Sequence, residues 1–133
     1  MPWIHITVSG QPDDALAARV ASTASDLTAG ILHKDPALTA VAVAFEAASH
    51  WFVGGRRLAE GAPRAYHWAV NITDETNTKA EKAAYLAAVH QAMAELLGGV
   101  VEHSYAHVVD ARAAAYGFGG RTQEWRLHHP GNI

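Results

Sequence analysis

A proline directly follows the initiator methionine, and it heads the alternating stretch Trp3-Ile4-His5-Ile6-Thr7-Val8. The period of two predicts a half-buried strand, and proline is tolerated at a strand's first residue because no ladder N–H is needed there. A small second residue allows the methionine to be cut off. What remains is a secondary amine on a rigid strand. A free α-amino group titrates at about 7.7–8.0 in a model peptide. Burial and a nearby cation would lower that value. An amine poised near neutral pH suits proton abstraction beside a carbonyl. The developing enolate then needs a hydrogen-bond donor or a cation.

The elements that must hold such a group follow along the chain. Ser9 to Asp14 reads as a turn entering a helix, whose apolar stripe is Leu16, Val20, Ala24, Leu27 and Ile31. The stretch from Gly30 to Pro36 ends that helix. Val41, Val43 and Phe45 mark a second strand running to about Glu46. A loop with a short extended piece then closes on Gly54-Gly55, and Arg56 to Pro63 is a polar connection. Trp68, Val70 and Ile72 give a third strand. Thr78-Lys79-Ala80-Glu81 has capping-box spacing ahead of a helix striped by Leu86, Val89, Met93 and Leu96. Gly98-Gly99 ends that helix, and a fourth strand is expected from about Val101 to Val109. Ala111 to Gly120 mirrors the first loop, and from Arg121 the chain reads as a polar tail, loose from His128.

The two halves repeat. Ile4-x-Ile6-x-Val8 aligns with Trp68-x-Val70-x-Ile72 and Glu46 with Asp110 at an offset of 64, and the glycine pairs align at 65. A duplicated βαβ unit follows, within a single domain over residues 1–133: one repeat at about 2–55, a second at about 65–120, a tail at 121–133. The expected fold is α+β, a four-stranded mixed sheet with two helices on one face. No third helix is expected to cover the other face, so association through it is expected.

Composition narrows the function. The chain has 133 residues, half of them hydrophobic, with a net charge of −3, so neither nucleic acid nor a membrane surface is expected as a partner. It has no cysteine, no leader-like segment and no long apolar run, and the expected location is the cytoplasm. Nine histidines raise the question of metal. His103 and His107, four apart on the expected strand, would stand about 13 Å apart, too far for one ion. No metal is expected.

The proline after methionine, the Ile-His-Ile strand, the two βαβ units and the closing glycine pairs resemble the tautomerase superfamily. This is the group of 4-oxalocrotonate tautomerase, macrophage migration inhibitory factor and cis-3-chloroacrylic acid dehalogenase. The likeness runs from Pro2 to about Gly120, with its best pieces at Glu46 to Gly55 and Asp110 to Phe118. It implies a homotrimer of βαβ-βαβ subunits, no cofactor, and Pro2 as the catalytic base or acid. It further implies an active-site lysine at Lys34, a tyrosine at Tyr105 with His107 beside it, and an aromatic wall at Trp51 or Phe52. A substrate-carboxylate role falls to Arg56 on the match of guanidinium to carboxylate. Family arginines are missing: the second strand reads Ala40-Val41-Ala42, and Gln11 stands after the first strand. The dehalogenase arginine pair would fall near Asp74 and Asn77, and its glutamate near Ala115.

The resulting expectation is a cofactor-free tautomerase or isomerase acting on a 2-keto acid or a related small carbonyl compound. The alternatives are a hydratase, dehalogenase or decarboxylase of a short unsaturated acid, or a non-catalytic trimeric binding protein. The repeat aligns Pro2 with Tyr66, which has no free amine, so one reactive site per chain is expected.

Overall fold

The computed structural model describes residues 1–59 and 63–131. Residues 60–62 of the polar connection and the last two of the tail lie outside the described residues. Strand β1 (Trp3–Ser9) leads to helix α1 (Asp14–Leu32), and strand β2 (Ala40–Glu46) returns parallel to β1. The second unit repeats this with β5 (Tyr66–Thr73), α2 (Lys79–Leu97) and β6 (Tyr105–Ala111), β6 lying parallel to β5. The units join through antiparallel pairing of β1 with β5, giving the sheet order β2-β1-β5-β6. This is the expected four-stranded mixed sheet. Small antiparallel hairpins follow each unit: β3 (Phe52–Val53) with β4 (Arg56–Arg57), and β7 (Gly117–Phe118) with β8 (Arg121–Thr122).

Local chemistry explains where the helices begin and end. Asp13 caps α1 by accepting from the Leu16 N–H at 3.0 Å. His33 closes it in the left-handed region at φ 59°, so Gly30 lies inside the helix. Thr78 and Glu81 form the reciprocal capping box read from their spacing, and Gly98 ends α2 at φ 69°.

One sheet face carries the core. Ile4, Ile6, Val8, Tyr66, Trp68, Val70 and Ile72 pack against Leu16, Val20, Ala24 and Leu32 of α1 and Tyr85, Val89 and Met93 of α2. Leu27, Ile31, Leu86 and Leu96, expected in the helical stripes, flank that core partly buried. Tyr85 takes the central place on α2 because its hydroxyl finds two partners. It lies 2.9 Å from Thr28 Oγ1 and accepts from Trp68 Nε1 at 3.1 Å. The other sheet face is open, with Trp3, Tyr105 and Val109 exposed on it. An uncovered face with large apolar side chains is a surface for association.

Two expectations change. The fourth strand begins at Tyr105 rather than Val101, because the Val101 N–H turns aside to the Arg64 carbonyl at 2.9 Å. A third helix does exist: α3 (Gln123–His128), capped by Thr122, which accepts from the Trp125 N–H at 2.9 Å. Six residues long and following directly on β8, it leaves Trp3, Tyr105 and Val109 exposed.

Candidate functional site

Pro2 is buried, and its carbonyl accepts from the Ala40 N–H at 3.2 Å, which fixes the head of β1 against the head of β2. Antiparallel pairing sets Trp3 opposite Asn71, so continuing the register by one residue sets Pro2 opposite Ile72, beside the end of β5. Burial lowers the pKa of the Met1 amine, and the Lys34 charge lowers it further. Lys34 follows the left-handed His33 cap of α1, and this places its side chain at the same end of the sheet. Its ammonium donates to Thr76 Oγ1 at 2.9 Å, and the Thr76 hydroxyl donates to the Thr73 carbonyl at 2.6 Å. Burial lowers the Lys34 pKa too, opposed by Glu81 and Asp110. Asp110 is in turn held by Lys82 at 2.6 Å.

Tyr116 was not among the residues singled out from the sequence, yet it belongs to this end. Its hydroxyl lies 2.8 Å from Thr73 Oγ1. Burial raises its pKa, the Thr73 hydrogen bond opposes that, and Asp74 adds to the rise. The repeat carried the signal: the 65-residue offset of the glycine pairs maps Trp51 onto Tyr116.

The remaining candidates lie elsewhere in the subunit. Trp51, Phe52 and Tyr105 line a cavity of about 300 Å³ with Tyr66, His67 and His103. This cavity is at the other end of the sheet, where Tyr66 pairs with Val8. Six residue steps along β1 separate Val8 from Pro2, roughly 20 Å at the usual rise. Arg56 pairs with Val53 in the hairpin of that end. His107 is on the open face, 5.1 Å ring to ring from His67 and 6.4 Å from Tyr105. His103 precedes β6 in a turn, so it and His107 do not share a strand. Within one chain, then, Pro2 and Lys34 come together and Tyr105, His107, Arg56, Trp51 and Phe52 do not join them.

The two ends are related by the repeat. Tyr66, the counterpart of Pro2, is buried with its hydroxyl 2.9 Å from His90 Nδ1, and its backbone N–H donates to Ser104 Oγ at 3.2 Å. A chain-internal residue with its N–H engaged offers no amine. Among the described residues, no helix is long and apolar enough to cross a membrane.

No protein-family model matches the chain, and no curated protein does. Solved structures do match. A native fused 4-OT aligns with a TM-score of 0.81 at 22% identity, over 92% of this chain and 97% of that one. A fused 4-OT described as a symmetric trimer aligns with a TM-score of 0.80 at 18% identity, over 92% and 96%. A protein crystallised after inactivation by 2-oxo-3-pentynoate aligns with a TM-score of 0.80 at 15% identity, over 92% and 98%. The tandem βαβ architecture of this chain is thus the fold that these fused 4-OT structures share.

Proposed function

We propose that the chain is a cofactor-free tautomerase, in which the Pro2 amine, freed by removal of Met1, moves a proton between two positions of a small 2-keto acid or related carbonyl compound. The observation that carries this reading is the burial of the head of β1 beside Lys34. The same desolvation and the same cation that lower the Met1 amine would act on an amine one residue further in. A secondary amine held below the ordinary α-amino range is largely neutral near pH 7 and can accept the proton. Lys34 then serves twice, keeping the amine neutral and drawing the carboxylate or carbonyl oxygen of the substrate. Tyr116, at the same end of the sheet, is the nearer hydroxyl donor for the developing enolate.

Tyr105 and His107 reach a Pro2 site only from another copy of the chain. A homotrimer closed over the open sheet face is the arrangement we favour, supported by the exposure of Trp3, Tyr105 and Val109 and by the trimeric fused 4-OT of the same fold.

Three measurements test this. Intact mass shows whether Met1 is absent, and a retained Met1 ends proline-amine catalysis. Ketonisation of phenylenolpyruvate or 2-hydroxymuconate should be present in the wild-type chain and nearly absent in Pro2→Ala. Incubation with 2-oxo-3-pentynoate should add mass to the Pro2 peptide alone. Turnover unchanged in Pro2→Ala would overturn the mechanism, and no turnover of any keto acid would leave the fold with a binding role.

A further inference from the structure

At the sheet end opposite Pro2 a second cavity, of about 600 Å³, opens between the β1–α1 turn and the described residues Leu58, Ala59 and Pro63 that follow β4. Its described lining includes Ser9, Gln11, Ser49, Arg57 and Arg64 and no acidic residue, although the chain as a whole is net acidic. Arg64 Nη1 is buried and has no hydrogen-bond partner among the described residues. Its guanidinium lies along Gly10, where a Cβ would stand 3.5 Å from Cζ. The backbone around it is tied on both sides. The Arg64 carbonyl accepts from Val101 at 2.9 Å, and the Ala65 N–H donates to Ser9 Oγ at 2.8 Å. Arg57 lines the same space with its guanidinium 5.7 Å from the Phe52 ring centre.

A buried guanidinium nitrogen with no acceptor is costly, and an open cleft beside it is where an acceptor belongs. Guanidinium takes an oxyanion through two parallel N–H donors, and that planar match favours a carboxylate. The volume lies within the range of small-molecule sites and is far more than a bare ion needs. We infer that this cavity is a second binding site, distinct from the Pro2 end, for a small organic acid whose carboxylate pairs with Arg64 while Arg57 meets a second acidic group or remains at the rim. Ser9, Ser49 and Gln11 give further polar contacts around the ligand. The site needs neither Met1 removal nor proton transfer, so it stands independently of the tautomerase reading.

The test is a titration of the ¹⁵N-labelled full chain with malonate, following the Gly10 amide, with sulfate as a second probe and chloride as the ionic-strength control. The malonate shift should saturate while chloride gives a weak, non-saturating drift. Arg64→Lys and Arg64→Gln should each weaken the apparent affinity about tenfold or more, as loss of a bidentate charge-assisted pair would. Arg57→Ala should weaken it less. Pro2→Ala and Arg19→Ala, the latter exposed on α1, should leave it unchanged. Circular dichroism confirms that each variant is folded. A malonate response no stronger than chloride overturns the inference, as does saturable binding that survives both Arg64 variants. Loss of binding in Pro2→Ala would place the ligand at the other end and also overturn it. Sulfate binding without malonate binding would mean an inorganic-anion site only. If the Arg64 variants instead separate the subunits in sedimentation, with no anion dependence, Arg64 serves a subunit contact and the inference fails.

Discussion

The Lys34 ammonium donates to Thr76 Oγ1 at 2.9 Å, tying the loop after α1 to the turn after β5, two segments from different halves of the duplicated chain. That link stations a cation at the head of β1. Removing the cation should let the terminal amine regain part of its ordinary pKa, so a base that must be neutral works only at higher pH. For Lys34→Met the acid limb of kcat/KM should therefore move up in pH. The loss of a charged contact to substrate should lower kcat/KM itself by roughly ten- to a hundredfold. Intact mass and pH–rate profiles of both proteins check this. A limb that stays in place would disconnect Lys34 from the reacting amine.

Tyr116 sits at the Pro2 end through Thr73 Oγ1, 2.8 Å away and 43 residues earlier. If its hydroxyl steadies the enolate, Tyr116→Phe should lower kcat by about tenfold or more with little change in KM, because the donor matters where charge develops. Steady-state kinetics on an enol substrate decide the point. A change confined to KM would make Tyr116 a wall of the pocket and nothing more.

What could be read ahead of the structure follows from how local each signal is. The capping box of α2 was legible because Thr78 and Glu81 are three residues apart and their geometry follows from the backbone alone. The alternation of β1 and β5 was legible because each strand buries one face, Ile4-Ile6-Val8 and Trp68-Val70-Ile72. The start of β6 was not, since the alternation of Val101 and His103 continues through a segment whose backbone bonds are taken by Arg64. Nor was α3, whose Thr122 cap opens a helix too short to show an apolar stripe. The distance between Tyr105 and Pro2 was hidden for another reason: it depends on β1 and β5 running antiparallel, and the spacing within each repeat carries no sign of that. Pairing by repeat instead of by residue type leads to Tyr116.

The hydrogen bonds of Tyr85 offer a stability test away from any site. Its hydroxyl serves both Thr28 and Trp68 inside the core. Tyr85→Phe keeps the ring and orphans a buried hydroxyl and a buried indole N–H, which should cost about 2 kcal/mol. Urea unfolding at matched protein concentration should show a lower midpoint with an unchanged slope. Adding Thr28→Val to Tyr85→Phe should return part of the loss, because one of the two orphans is then removed.

The pH response of the open face can be predicted from His67. Burial lowers its pKa first, and the neighbouring His107 and His5 add to the effect. His5 stacks beside Trp3, and His107 beside Tyr105, so the three imidazoles share the face with aromatic neighbours and no carboxylate contact to any of them is seen among the described residues. A histidine whose folded pKa lies below its unfolded value of about 6.5 binds more protons when unfolded. Stability therefore rises with pH through that region, and it falls as pH drops below about 6.5, where the unfolded chain takes up the proton first. Thermal melts from neutral pH to mildly acid pH should show Tm falling on acidification, and His67→Gln should flatten the fall. If subunits close over this face, each would bring the same three imidazoles to the contact, and acid should also shift sedimentation toward smaller species. A wild-type Tm that is flat with pH across this range, or one unchanged in slope by His67→Gln, would remove His67 from the account.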